Sequence, residues 1–339
     1  MRNLILVCLL IQFTTPGSGQ LPVSADSLYM FIKYNSVHRN TVNWNMIDTA
    51  FGKRIQSARS LQDTLNAFVF VLENLKDVHS QIILNNRGYG HYSSFDDTTL
   101  TWLTPLVNKS TLRTNKIITK YLPDEIAYIS VPGVNAYGKS DINAMAEAIY
   151  DSTYSISLKK VKGVIIDLRL NGGGNIYPML SGLGSFLGEN IVGYETDLQD
   201  SIVRTWEIKN SNFIIGGYKS TELLKPNITN LNSIPVVVLI GPVTRSAGSM
   251  TAIAFKQRKN TVFIGEPTAK GYTTSNGYFQ FAPNLTLNFA THFVADRKMN
   301  IYKYSVDPDI LIYRGDNFEN LLEDAKIKAA LAWLSKNGR

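Results

Sequence analysis

Gly163–Gly174 reads GVIIDLRLNGGG, and this stretch decides the fold. Four apolar or small residues run without alternation into Asp167, the pattern of a strand buried on both faces rather than one. Three glycines follow, and after them comes a helical run, Ile176–Leu183. A strand that turns through glycines into a helix is the repeating unit of an α/β fold. Such glycines permit close backbone approach and leave N–H groups free at a helix N-terminus, where they can hold a phosphate or an oxyanion. The spacing is not GxGxxG and no Lys-Ser or Lys-Thr follows, so neither nucleotide-binding fingerprint is present.

The same texture extends outward. Ile126–Val131 (IAYISV), Pro235–Ile240 (PVVVLI) and Thr261–Ile264 (TVFI) are further apolar runs, each predicting a buried strand. Between them Ser140 is placed to cap a helix with Ile142, Met145, Ala146 and Ile149 on one face. Strands alternating with helices predict a largely parallel sheet. Tyr278–Phe281 and Leu285–Phe293 alternate and predict a hairpin on that sheet, and a last helix is expected from about Asn317 to Leu334. Upstream, Ser24–Leu75 is helical in pattern. Ser24 and Ser60 stand as N-caps, and Leu61, Leu65, Phe68, Val69 and Leu72 recur by threes and fours. Asn85–Asp97 (NNRGYGHYSSFDD) is polar and turn-rich and predicts a loop. Thr101–Val107 (TWLTPLV) is apolar, which suits the lining of a ligand cleft but is explained more simply by core packing.

The chain opens MRNLILVCLLIQFTTPGSGQ, with one basic residue, an apolar run from Leu4 to Phe13 and a small-residue stretch to Gly19. That layout predicts a secretory leader over residues 1–19. Its apolar run is shorter than the roughly 20 residues that span a bilayer, so no stable membrane insertion is expected once the leader is removed. Cys8, the only cysteine, lies inside the leader, so the mature chain is expected to have no disulfide and no thiol chemistry. The location implied is outside the cytoplasm, periplasmic or secreted, in a bacterial envelope. The net charge of +7 is scattered, and the densest basic run, Lys256–Lys259, has no interleaved aromatics. It reads as a solvated helix end, and no nucleic-acid partner is expected. No cluster of His, Asp and Glu has ligand spacing, so no metal or cofactor is expected.

Two further loops carry chemistry. Gly241–Met250 (GPVTRSAGSM) follows the PVVVLI strand, and its small residues expose Ser246 and turn the Ala247 N–H towards it. An unobstructed hydroxyl beside a free N–H donor is what a nucleophilic serine requires. A helix N-cap explains the same serine more simply, and Ser249 is a rival in the same turn. A nucleophilic serine also needs a base that is neutral near pH 7. The histidines are His38, His79, His91 and His292, with Lys270 the alternative base.

Taken together these loops resemble the tail-specific, or C-terminal-processing, serine protease superfamily. Its glycine-loop pattern D-x-R-x-N-x-G-G is matched by Asp167, Arg169, Asn171, Gly173 and Gly174, and its nucleophile pattern T-x-S-A-x-E by Thr244, Ser246 and Ala247. Gly265–Gly271 (GEPTAKG) and Val306–Ile310 (VDPDI) match two later turns, so the resemblance runs from about Leu75 to Ile310. It implies an α/β fold with a ββα (ClpP/crotonase-like) protease core over 76–339, preceded by an N-terminal helical cap over 20–75. About 45 residues separate His79 from the IAYISV strand, too few for a PDZ domain.

The branch decides the base. Processing proteases use Lys in a G-K-G turn, and Lys270 falls one residue early for it. The nisin-resistance and tricorn-core branch uses His from an L-x-D-x-H-S segment, matched by Leu75, Asp77, His79 and Ser80. The resemblance thus implies Ser246 as nucleophile and His79 as base, with backbone N–H groups of Ala247 and of Gly173 or Gly174 as the oxyanion hole. Glu266, Asp307 and Asp77 are candidates to orient His79. Where relatives carry Glu two or three residues after Ala247, this chain has Gly248 and Ser249. The substrate implied is a peptide or a protein tail. On the same core fold the alternatives are a non-catalytic ligand-binding protein and a crotonase-like acyl-CoA enzyme.

Overall fold

The computed structural model describes residues 21–91, 97–226, 228 and 231–337. The expected leader, with Cys8, lies outside the described residues. The described residues form two compact units, one running through His91 and taking in Tyr278–Phe289, the other comprising the rest.

The first unit begins with three helices, α1 (Ala25–Asn35), α2 (Trp44–Ser57) and α3 (Leu61–Asn74). Ser60 caps α3 as its sequence position predicts. Its Oγ accepts from the Asp63 N–H at 3.1 Å, and the Asp63 carboxylate accepts from the Arg59 N–H at 3.0 Å. Ser24 occupies the N-cap position of α1 without a side-chain cap bond. Leu28, Ile32, Ile47, Phe51, Leu65, Phe68 and Leu72 close one core with Ile82, Leu84, Leu287 and Phe289. The Tyr29 and Phe51 rings stack within it at 4.1 Å.

The region expected as a loop after Leu84 is in part a hairpin. Strands β1 (Gln81–Leu84) and β2 (Arg87–Gly90) pair antiparallel around Asn85 and Asn86. Both asparagines have positive φ, 50° and 62°, as a two-residue turn matched to strand twist demands. On its other edge β1 pairs with Leu285–Asn288.

The second unit opens with α4 (Asp97–Arg113), which the sequence did not predict. Then follow β3 (Ile118–Leu122), β4 (Ile126–Ser130), α5 (Lys139–Ser157) and β5 (Gly163–Asp167). Gly138, not Ser140, is the N-cap of α5. Next come α6 (Ile176–Gly182), α7 (Gly184–Leu187), β6 (Ile191–Thr196), β7 (Ile202–Lys209), β8 (Asn212–Ile215) and β9 (Tyr218–Lys219). The remaining elements of the chain are β10 (Val236–Ile240), α8 (Ala247–Phe255), β11 (Thr261–Gly265), β12 (Thr274–Ala282), β13 (Leu285–Asp296), β14 (Ile301–Tyr302), β15 (Ile310–Leu311) and α9 (Ala325–Asn337), of which Tyr278–Phe289 in β12 and β13 belong to the first unit.

One sheet of the unit runs β15-β11-β10-β5-β4-β3, parallel except for β3 against β4. Its strands divide their side chains by alternation. Val164, Ile166, Val236, Val238 and Ile240 face one core with α6, α7 and α8, while Ile165, Val237, Leu239 and Ile264 face another with α9. Two covered faces explain why these strands are apolar throughout. The hairpin expected on this sheet belongs elsewhere. Phe293–Asp296 of β13 pair with β6 in an antiparallel order that continues β6-β7-β8-β9. The last helix starts at Ala325 rather than near Asn317, because Asp324 accepts from the Lys326 and Ile327 N–H groups and caps it there. Among the described residues no helix is long and apolar enough to cross a membrane.

Candidate active site

Strands β5, β10 and β11 lie side by side and parallel, so their carboxyl ends deliver three loops to one edge of the sheet. Asp167–Gly174 leaves β5, Gly241–Ser246 leaves β10, and Glu266–Tyr272 leaves β11. Backbone and side-chain bonds join them. Thr244 Oγ1 donates to Leu168 O at 2.8 Å and accepts from the Gly241 N–H at 3.0 Å. The Arg245 N–H donates to Asn171 O at 3.1 Å, the Ser246 N–H to Tyr272 O at 3.1 Å and the Ala269 N–H to Thr244 O at 2.9 Å. Every residue from Thr244 to Ser246 is thereby tied to the loop on one side or the other.

Ser246 occupies the N-cap of α8, yet its side chain makes no cap bond. Its φ is 53° and its ψ −126°, a combination outside even the left-handed helical well, where ψ lies near +47°. A non-glycine residue held there costs on the order of 1–3 kcal/mol and persists only where its surroundings dictate it. The capping function that explained Ser246 most simply is therefore absent, and a strained strand-to-helix turn presents the hydroxyl instead. Ser249 is engaged elsewhere: it is fully buried and its Oγ donates to Thr244 O at 3.2 Å.

Two glycines make the turn possible. At Gly173, φ +103°, a Cβ would lie 2.8 Å from Ser246 Cβ and 3.3 Å from its Oγ. At Gly248 a Cβ would lie 2.6 Å from Asn171 O. The glycine loop is thus in van der Waals contact with the serine. Asn171 holds it there, donating to Val131 O at 3.0 Å and accepting the Gly173 N–H at 3.0 Å. The Ala247 N–H opens α8 and has no intrahelical acceptor.

Beneath the loops lies a buried ion network. Arg169 donates to Asp167 at 2.7 and 3.0 Å, to Asp316 at 2.6 Å and to Asp324 at 2.7 Å. Tyr128 donates to Asp167 at 2.9 Å. Burial alone would raise the Asp167 carboxyl, but the charge and hydrogen bonds of Arg169 outweigh it and hold the carboxyl below its ordinary range. Burial opposes the Arg169 charge in turn, and Asp167, Asp324 and Asp316 together push its guanidinium well above its ordinary value. Burial, then the Asp167 charge, likewise raises the Tyr128 phenol. Arg169 therefore braces the glycine loop from below. One of the three candidates to orient the base, Glu266, is drawn into the same network: its carboxylate accepts from the fully buried Lys326 at 2.7 Å, and Lys326 also donates to Asp316 at 2.8 Å. Asp307 is exposed and accepts from Ser305 at 3.1 Å. Lys270 is exposed in its turn.

His79 belongs to the first unit, in the turn before β1, and is 7% exposed. Asp77, itself buried, accepts from the His79 N–H at 3.0 Å, the Ser80 N–H at 2.9 Å and the Ser80 hydroxyl at 2.5 Å. Asp77 thus fixes the backbone that carries His79. Burial lowers the pKa of His38, and the Asp77 charge opposes that shift. In the second unit His292 Nδ1 lies 2.9 Å from the Thr291 hydroxyl. Sequence reading missed the anchoring by Tyr272, whose contribution is a carbonyl and so leaves no trace in residue type. It also missed the carboxylates at Asp316 and Asp324, which stand outside the family's motifs.

Residues 125–312 match the model of peptidase family S41. The nisin-resistance protein of Lactococcus lactis subsp. lactis is 34% identical over 157 residues, which is 46% of this chain and 48% of that protein. The carboxy-terminal processing protease CtpA of Bacillus subtilis (strain 168) is 26% identical over 196 residues, 56% of this chain and 37% of that one. The chain therefore spans about half, or less, of the length of these relatives. A lipoprotein from Streptococcus agalactiae shares the fold at a TM-score of 0.68, with 22% identity over 94% of this chain and 98% of that one. The photosystem II D1 C-terminal processing protease does so at 0.52, with 13% identity over 93% and 96%.

Proposed function

The chain belongs to peptidase family S41, and from that we propose that it hydrolyses peptide bonds with Ser246 as nucleophile and His79 as general base. The observation that carries this reading is the strained backbone of Ser246, held between Tyr272 O and the glycine loop with its hydroxyl unused as a cap. Neutral His79 takes the hydroxyl proton as Ser246 Oγ attacks the scissile carbonyl. The Ala247 N–H is the first oxyanion donor and Gly173 or Gly174 supplies the second. Such donors are worth about 3 kcal/mol each. The Gly173 N–H is shared with Asn171 Oδ1, whereas that of Gly174 has no acceptor among the described residues. His79 then protonates the leaving amine, and water releases the acyl group by the same steps in reverse. With Glu266 committed to Lys326, a Ser–His pair without an orienting acid from that turn is the simplest assignment. A lysine base would need burial to hold a free amine near neutral pH, and Lys270 is exposed.

The substrate class is a peptide or a flexible protein tail, and the protein acts outside the cytoplasm after loss of residues 1–19. Labelling of the purified mature chain with a fluorophosphonate probe tests the assignment. Ser246→Ala and His79→Ala should each abolish labelling while keeping the circular dichroism of wild type, and Lys270→Ala should retain it. Labelling that depends on Lys270 but not His79 would move the mechanism to a Ser–Lys pair. A folded wild type that takes no label would refute the nucleophile.

A further inference from the structure

We propose that Arg245 selects substrates carrying a carboxylate within one or two residues of the scissile bond, an inference that rests on Ser246 being the nucleophile. Consecutive residues of the nucleophile turn touch consecutive glycines of the neighbouring loop. A Cβ on Gly172 would lie 3.9 Å from Arg245 Nε, as one on Gly173 would lie 3.3 Å from Ser246 Oγ. Adjacent Cα atoms are about 3.8 Å apart, so the guanidinium and the hydroxyl lie along the same short loop. A bound peptide advances about 3.3–3.6 Å per residue, which brings a group one or two residues from the attacked carbonyl over the arginine.

The guanidinium is also positioned and unspent. Arg245 Nε donates to Gly172 O at 3.1 Å, and the group lies 5.8 Å from the centre of the Tyr272 ring. Anchoring through Nε leaves the paired Nη atoms, the fork that matches a carboxylate in bidentate geometry. Arg245 is exposed, and among the described residues no carboxylate pairs with it. No ion pair among the described residues offsets its charge. The first turn of α8 holds no acid, Gly248 has no space for a side chain, and Ser249 is buried and neutral. The nearest acid of the neighbouring turn, Glu266, is paired with Lys326. Substrate thus supplies the missing anion, either as an acidic side chain or as a free C-terminus.

The test measures kcat/KM on matched fluorogenic peptides that differ only at the residues flanking the cleaved bond: Glu, Gln or Lys, and a C-terminal acid or amide. Wild type is compared with Arg245→Gln, Arg245→Glu and Arg245→Lys, each checked for folding by circular dichroism. Wild type should favour the carboxylate peptides on the order of tenfold, the scale of a hydrogen-bonded charge. Added salt should reduce that preference. Arg245→Gln should abolish it, and Arg245→Glu should turn it towards Lys. The Glu and C-terminal-acid arms show which carboxylate is read. An Arg245→Gln enzyme with the wild-type preference overturns the inference, as does a probe-labelled wild type with no charge preference. A wild type that neither labels nor cleaves any peptide refutes the nucleophile itself, and the inference falls with it.

Discussion

Lys326→Met should destabilise the second unit severely. Lys326 is fully buried and donates to Glu266 at 2.7 Å, Asp316 at 2.8 Å and Arg314 O at 3.1 Å. Methionine keeps the length but removes the charge. Glu266 then loses its cation, and Asp316 is left to share Arg169 with Asp167 and Asp324. Removing one partner of a buried pair costs about 3–5 kcal/mol, because the other is left charged and desolvated. At roughly 2–4 °C per kcal/mol for a unit of this size, the melting temperature should fall by about 6–20 °C. Calorimetry at neutral pH measures it directly. Glu266→Gln in the same background should recover part of the loss, since a neutral amide needs no cation. A Lys326→Met protein that melts within about 3 °C of wild type at neutral pH would refute the network as a source of stability.

Asp167→Asn should destabilise the protein at neutral pH and lose its effect in acid. The native carboxyl is held below its ordinary value near 4, so its contribution is complete above that value and disappears as pH falls through its lowered pKa. Thermal melts should therefore separate variant and wild type at pH 7 and bring them together in strong acid; a constant gap would disprove the linkage. Gly173→Ala places a Cβ 2.8 Å from Ser246 Cβ at a φ of +103°, so fluorophosphonate labelling should slow at least about tenfold. A rate within a factor of two of wild type would show that the close approach does not matter. Asp77→Ala removes the acceptor for the His79 and Ser80 N–H groups and should cost about 1–3 kcal/mol, with labelling reduced as His79 loses its fixed backbone. Full labelling in that variant would separate Asp77 from the chemistry.

The parallel sheet was legible because burial on both faces writes itself as unbroken apolar runs such as GVIID and PVVVLI. Half-covered strands carry a weaker signature. In β7 Ile202 and Val203 are exposed while Trp206 and Ile208 are buried, and no single period marks it as strand. Helix α4 escaped notice because Pro105 and several threonines interrupt its pattern. The serine, the glycine loop and the histidine turn could be named from their motifs, since close approach and free N–H groups demand particular residue types. What lies beneath them could not, for Arg169 finds Asp316 and Asp324 at separations of 147 and 155 residues. Nothing in Glu266 itself distinguishes an acid that orients a base from one that holds Lys326.

Those separations also set an order of events during synthesis. At roughly 5–20 residues per second, a ribosome takes on the order of 10–30 s to travel the 155 residues from Arg169 to Asp324. Of its three carboxylate partners the guanidinium has Asp167 alone until Asp316 and then Asp324 follow. Ser246 thus leaves the ribosome before the two acids that complete the network beneath its neighbouring loop.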